Sequence, residues 1–132
     1  MRMRGILALL VVLALSGAGG CGEPEDESAW IPGVQPLLEA AEAVEAEMSR
    51  EDFDPEVAKA LIAATREALA AYEPVEEHGA EFDQLIHDAM DYYISGLKAH
   101  EKQLPGITRQ WIDQASGTIE KARQLIERYE QE

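Results

Sequence analysis

The chain has 132 residues, enough for one small domain, and its 11 Lys and Arg against 26 Asp and Glu give a formal net charge of -15. This acidity argues against nucleic acid as a partner, because a binder needs clustered cations to neutralise phosphates. The single Cys excludes an internal disulfide and a cysteine-rich metal site. With 46% hydrophobic residues, the chain is nevertheless able to build a globular core.

The N-terminal segment has the three parts of a secretory signal. Met1–Arg4 carries two basic residues, Ile6–Leu15 is an uncharged apolar run, and small residues then lead to Cys21. The apolar run is short for a membrane span, which needs about 20 residues. Residues 1–21 resemble a bacterial lipoprotein signal peptide with its lipobox, here Ala18-Gly19-Gly20-Cys21, where Ala18 stands in the usual position of Leu.

The resemblance implies a processing event and a location. Residues 1–20 would be removed, and Cys21 would carry a diacylglyceride and become the new N-terminus. Gly22 stands where an Asp would favour the inner membrane of a diderm bacterium, so the resemblance points to an outer-membrane anchor facing the periplasm or the cell surface. The alternative is an uncleaved membrane anchor. Removal of the two basic residues with the signal would leave 26 acids and nine bases.

The segment after the signal is predicted to be a tether. Residues 21–33 combine the lipidated N-terminus with acids, Pro and Gly, a composition typical of a solvated linker. Trp30 and Ile31 break this polarity, and we expect them to pack onto the domain rather than to rest on the bilayer. The domain itself is predicted to span residues 34–132.

Four helices are predicted in that domain, because apolar residues recur there at spacings of three and four. The first begins near Val34, with Pro36 at its first helical position, and its apolar face is Val34, Leu37, Ala41, Val44 and Met48. The second begins at Asp54-Pro55 and ends at Pro74, and its apolar face is Val57, Leu61, Ala64, Ala68 and Tyr72.

The third helix is predicted from about Pro74 to Gln103, and its apolar face is Phe82, Ile86, Ala89, Tyr93, Leu97, His100 and Leu104. Pro105-Gly106 indicates a turn. The fourth helix follows, with the face Trp111, Ala115, Ile119, Ala122, Ile126 and Tyr129. Short turns between four such helices predict an all-α fold, an antiparallel up-down-up-down four-helix bundle. The alternative is a three-helix core with the first helix loosely attached.

Catalytic and cofactor motifs are missing from the sequence. There is no nucleophile elbow, no Gly-x-Gly-x-x-Gly, no phosphate loop and no Cys-x-x-Cys-His. No Glu is followed three residues later by His, as a di-iron bundle requires. We therefore predict a non-enzymatic protein with no catalytic residue and no cofactor.

Two arrangements of His are candidates for a ligand site. Asp83, His87 and Asp91 are each four residues apart and therefore share one helix face, where they are metal-ligand candidates. The alternative for these three is a solvated polar face. His100 with Met48 is a conceivable pair of haem ligands, against which ordinary core packing is the alternative. His78 precedes a Gly and is expected to be exposed.

The charge layout suggests a partner surface. Residues 23–56 hold 12 acids and one base, residues 73–91 hold seven acids and no base, and only residues 57–72 hold more bases than acids. The candidate partner surface comprises Glu39, Glu42, Glu45 and Asp88, and it would attract a basic partner or divalent cations. The alternative is a solubilising surface. Since like charges three apart weaken a helix, replacing the three Glu with Gln is expected to stabilise the free domain slightly.

These observations favour a membrane-tethered helical binding or scaffold module of the bacterial cell envelope. Its membrane contact would be the lipid on Cys21, and its partner would be another envelope protein. The alternatives are a periplasmic metal- or haem-binding protein and an inhibitor or immunity-type lipoprotein.

Overall fold

The computed structural model describes residues 28–74 and 76–130. The predicted signal peptide, Cys21 and residues 22–27 of the predicted tether lie outside the described residues. Four helices make up the fold: α1 (Ile31–Met48), α2 (Pro55–Ala71), α3 (Glu77–Glu101) and α4 (Pro105–Glu130). No strand occurs in the described part of the chain, so the prediction of an all-α fold is confirmed.

The start of α1 differs from its prediction. The helix begins at Ile31 rather than near Val34, and Pro36 therefore lies inside it instead of at its first position. The physical reason is burial. Trp30 is 3% exposed and Ile31 is 6% exposed, so both side chains belong to the core, and the helix begins at the second of them. Packing of these two residues onto the domain is confirmed. Pro36 removes one N–H from the helical hydrogen bonds of α1.

The N-terminus of α2 forms as predicted. The Asp54 side chain accepts hydrogen bonds from the backbone N–H of Glu56 at 2.9 Å and of Val57 at 3.4 Å. Pro55 occupies the first turn, where a missing N–H costs nothing. This helix start is therefore fixed by its local sequence.

The turn between α3 and α4 lies earlier than predicted. Helix α3 ends at Glu101, Gln103 takes a left-handed φ of 61°, and the Leu104 N–H donates to the Ala99 carbonyl at 3.0 Å. Pro105, predicted to lie in the turn, is the first residue of α4, because a Pro without an N–H suits that position.

The core faces of α1, α3 and α4 largely match their predictions. All five predicted residues of α1 are buried, as are Phe82 to Leu97 of the predicted α3 face. At the end of that face the prediction is wrong: His100 is exposed and Leu104 is 41% exposed, because the helix ends before Leu104. In α4 the middle of the face is buried, whereas Trp111 and Tyr129 at its ends are half-buried.

The predicted face of α2 is wrong by one position. The buried residues are Ala58, Ile62, Thr65 and Leu69. Val57 is 43% exposed, Ala64 is exposed, and Leu61, Ala68 and Tyr72 are half-buried. Apolar residues surround most of this helix, so its sequence does not distinguish one face from its neighbour.

The helices pack unequally. The two longest, α3 and α4, make the most extensive pairing, and α1 packs against all three other helices. This position of α1 excludes the alternative of a loosely attached first helix. Helix α2 packs against α1 and α3, and in the described residues it makes no contact with α4. Within the same residues, no helix combines the length and hydropathy needed to cross a membrane.

Candidate functional site

The acidic candidates on α1 are partly neutralised within the molecule. Arg123 of α4 donates from Nε to Glu42 Oε2 at 2.9 Å, contacts Glu45 through Nη2, and reaches Glu120 from Nη1 at 2.7 Å. The hydrogen bond to Glu42 holds the pKa of the Arg123 guanidinium well above its usual range, although desolvation opposes this rise. Two of the three α1 carboxylates, Glu42 and Glu45, therefore already have a cationic partner. This partner relieves the repulsion between the two carboxylates.

The other two members of the candidate partner surface make no hydrogen bond with Arg123 within the described residues. Glu39 is exposed on α1. Asp88 lies on α3, where its carboxylate accepts a hydrogen bond from Gln84 Nε2 at 2.9 Å. The structure thus divides the predicted surface into an ion-paired part around Arg123 and two separate carboxylates.

The metal candidates on α3 are also divided. His87 Nε2 lies 3.7 Å from Asp83 Oδ2, but Asp91 Oδ1 lies 2.9 Å from Arg66 Nη2 on α2. Burial raises the pKa of Asp83, and the neighbouring His87 works in the opposite direction. In residues 28–74 and 76–130, no three His, Cys, Asp or Glu side chains form a group able to hold a metal ion.

The haem candidates have separate environments. Met48 is fully buried in the core, whereas His100 is exposed and its ring lies 4.7 Å from that of Phe53. His100 is therefore placed as a surface ring against an aromatic neighbour.

His78 is not exposed as predicted, because aromatic residues enclose it. Its ring centroid lies 4.0 Å from that of Tyr129 and 6.1 Å from that of Trp30. Trp30 Nε1, His78 Nδ1 and Asp83 Oδ1 are all buried and have no hydrogen-bond partner in the structure. Such atoms cost folding free energy. The rings of His78, Trp30 and Tyr129 thus form an aromatic cluster at this end of the molecule.

An open groove lies between α2 and α3. Its volume is about 360 Å³, and its lining residues are Lys59, Ile62, Ala63, Arg66, Ile94, Leu97, Lys98 and Glu101. On each helix the lining residues occupy positions i, i+3, i+4 and i+7, so they share one face. Two apolar residues from each helix form the floor, and the charged residues border it. The lining includes no Ser, Thr, Cys or His side chain.

The charges bordering this groove are mostly cationic. Lys59 Nζ lies 3.3 Å from Glu101 Oε2 and 3.7 Å from Glu56 Oε2, and Arg66 pairs with Asp91 as described above. Both cationic side chains are nearly half exposed, at 46% and 49%, and ion pairs at such positions contribute little stability. Lys98 has no ion pair within the described residues. The lining of the groove therefore contains three cations and one carboxylate, and two further carboxylates beside it pair with Lys59 and Arg66.

A second depression adjoins the groove at the turn between α3 and α4. Glu101 lines both, and the remaining lining residues here are His100, Gln103, Leu104, Pro105 and Thr108. Leu104 is 41% exposed and Ile107 is 45% exposed. Two exposed apolar side chains thus lie at or next to this turn.

The sequence contained only a partial signal for the groove. Residues 57–72, the one segment with more bases than acids, supply Lys59 and Arg66. Lys98 comes from another helix, and its place beside them depends on how α2 and α3 are paired. A comparison of the chain with protein-family models, with curated proteins and with solved structures finds no significant match in any of the three.

Proposed function

We propose that this protein is a lipid-tethered, non-enzymatic helical module of the bacterial cell envelope, and that it binds another envelope protein in the α2–α3 groove. The lipoprotein-like residues 1–21 support the tether, with Cys21 as the lipidated residue and an outer-membrane location by analogy. Inserted in this way, the protein would face the periplasm or the cell surface. The tether would keep the binding site close to its membrane.

One observation carries the binding role. The groove has an apolar floor between mostly cationic borders, although acids outnumber bases by more than two to one in the chain. Ile62 and Leu97 of this floor belong to the core, and Ala63 and Ile94 supply its accessible apolar surface. A concave, mostly apolar surface with a few charged groups at its border is suited to holding an apolar group of a ligand or partner. The exposed Leu104 next to the groove extends the available apolar surface.

We further propose the up-down-up-down antiparallel bundle as the arrangement of the four helices. Side-chain contacts support it at both ends of the molecule. At one end, Phe53 before α2 contacts His100 near the end of α3. At the other end, Trp30 before α1 contacts His78 at the start of α3 and Tyr129 at the end of α4.

The proposed role can be tested by filling the groove. Ala63 lines the groove, whereas the adjacent Ala64 is exposed outside it. Ala63→Trp should therefore abolish capture of the partner from an envelope extract, and Ala64→Trp should not. The measurement is the amount of each captured protein relative to the parent chain, with helix content checked by circular dichroism. Equal capture by both variants would remove the groove from the proposed function.

A further inference from the structure

We infer that the α2–α3 groove takes an amphipathic helix whose acidic residues are two turns apart, at positions i and i+7, and whose large apolar residues lie between them at i+3 and i+4. The inference rests on the proposed function, because it specifies the chemistry of the partner segment at the same groove. Three observations support it: the spacing of the cations, the composition of the floor, and the weakness of the ion pairs now present.

The spacing of the cations matches a helical ligand. Lys59 and Arg66 are seven residues apart on α2, which places them about 10 Å apart along that helix. They border the two ends of the apolar floor, and Lys98 lies on the opposite side. A helix lying along the groove presents side chains at i and i+7 with the same separation. An acyl chain with one anionic head would use the cations at only one end.

The floor suits the apolar face of such a helix. Ile62 and Ala63 contribute from α2, and Ile94 and Leu97 contribute from α3. The small Ala63 allows a third helix to approach, so that its apolar side chains can pack between those of the two helices. This is the recognition mode in which an amphipathic helix is read through apolar anchors three and four positions apart.

The ion pairs at the groove can accommodate a partner's carboxylates. Lys59 and Arg66 are paired at exposed positions, where exchange of one carboxylate for another costs little, and Lys98 is unpaired in the described part of the chain. Ion pairs between a cation on one helix and carboxylates on another already occur in this molecule. Arg123 of α4 pairs with Glu42 and Glu45, which are three residues apart on the neighbouring α1.

The net charge of the chain limits what else the partner carries. At a distance, an acidic partner is repelled by a protein with a formal charge of -15. We therefore place the acids in the bound helix itself, on a partner that is otherwise neutral or basic. A basic remainder would be attracted by the exposed acids of α1 and α3 while the acidic helix occupies the cationic groove.

The test uses three labelled helical peptides of about four turns in an Ala-rich background, with Leu at i+3 and i+4. Glu, Gln or Lys occupies both i and i+7. Fluorescence anisotropy measures their binding to residues 22–132, which include all four helices and the whole described core. The Glu peptide should bind about tenfold more tightly than the Lys peptide, since two exposed charge pairs change sign.

Reversing the groove charges should reverse this preference. Lys59→Glu with Arg66→Glu should favour the Lys peptide, whereas Lys121→Glu with Arg128→Glu, an equal charge change at exposed α4 positions outside the groove, should keep the preference for Glu. If the first variant unfolds, Lys59→Gln with Arg66→Gln should weaken the preference for the Glu peptide, since Lys98 is then the one lining cation left. Equal binding of all three peptides by the parent, or no binding, would overturn the inference.

The two proposals fail in different ways. If Ala63→Trp loses the natural partner while the parent binds the three peptides equally, the groove remains the docking site and only the acidic helix is refuted. If Ala63→Trp keeps the natural partner, the proposed function is refuted at this groove whichever peptide binds.

Discussion

Adjacent residues of α2 have opposite environments. Ile62 is 3% exposed and belongs to the core, whereas Leu61 is half-buried at its edge. Ile62→Ala should lower the free energy of unfolding by about 2–5 kcal/mol, because it leaves a cavity in a close-packed core. Leu61→Ala should cost clearly less, although the sequence pattern favoured Leu61 as the core residue. Urea denaturation of both variants measures the difference, and equal losses would contradict the burial described here.

Thr65 explains why the sequence pattern selected the wrong residue. It lies in the buried face, and its hydroxyl donates a hydrogen bond to the Leu61 carbonyl at 2.9 Å. A polar residue in the true face, together with Ala64 and Ala68 in the neighbouring face, made the neighbouring face look more hydrophobic. Local hydrogen bonding of this kind lets a Thr be buried without a partner from another helix.

Tyr93 should make stability depend on alkaline pH. Burial raises its pKa to about 12, against the hydrogen bond with Ser116, which lowers it. The unfolded chain ionises near the ordinary value of 10.0, so stability is complete below that pH and is lost as pH rises from 10 toward 12. Tyr93→Phe should therefore flatten the fall in unfolding free energy over this range. Parallel curves for variant and parent would assign the alkaline loss to other groups.

At the scale of the helices, Arg123 connects α4 to α1. Because Glu42 and Glu45 bond this Arg, replacing either with Gln should destabilise the protein by about 0.5–1 kcal/mol. This reverses the expectation from the sequence, which counted only the repulsion between like charges. Glu39→Gln is the matched control and should be neutral or slightly stabilising. Thermal melts at low and high salt measure the effect, which should shrink as salt screens the pairs. Stabilisation by Glu42→Gln would refute a structural role for the cluster.

The helix faces show how far sequence periodicity reaches. It identified the buried faces of α1 and most of α3 because polar residues clearly separate them from the exposed sides. It extended α3 too far, since His100 and Leu104 continue the spacing after Gln103 has left the helical conformation. Helix ends are set by local backbone geometry and by capping, which periodicity alone does not record.

At the scale of the whole molecule, the proposed membrane location is tested most directly by removing the proposed lipidation site. Cys21→Ser should move the protein from the membrane fraction to the soluble fraction and should abolish incorporation of labelled fatty acid, because it removes the thiol that we propose to be acylated. The measurement is fractionation with labelling, and Ser16→Ala in the same segment is a matched control that should change neither result. Unchanged fractionation and labelling in the Cys21 variant would contradict lipidation at this residue.

The groove shows what the sequence alone did not predict. Periodicity assigns residues to helices, but it does not say which two helices are neighbours or in what register they lie. Lys59 and Lys98 line the same groove only because α2 packs against α3. The Arg123 cluster was missed for the same reason: its acids and its base are far apart in the chain and meet only in the folded molecule.

The unequal packing of the helices also predicts which helix opens first in local unfolding. Helix α2 lacks contact with α4 within the described residues, so fewer interactions oppose its detachment than oppose separation of α3 from α4. Detachment of α2 would be the lowest-energy partial opening, and its backbone amides should exchange hydrogen for deuterium before those of α3 and α4. A ligand that bridges α2 and α3 binds only the closed form. It should therefore slow exchange along α2, far beyond the residues that it touches.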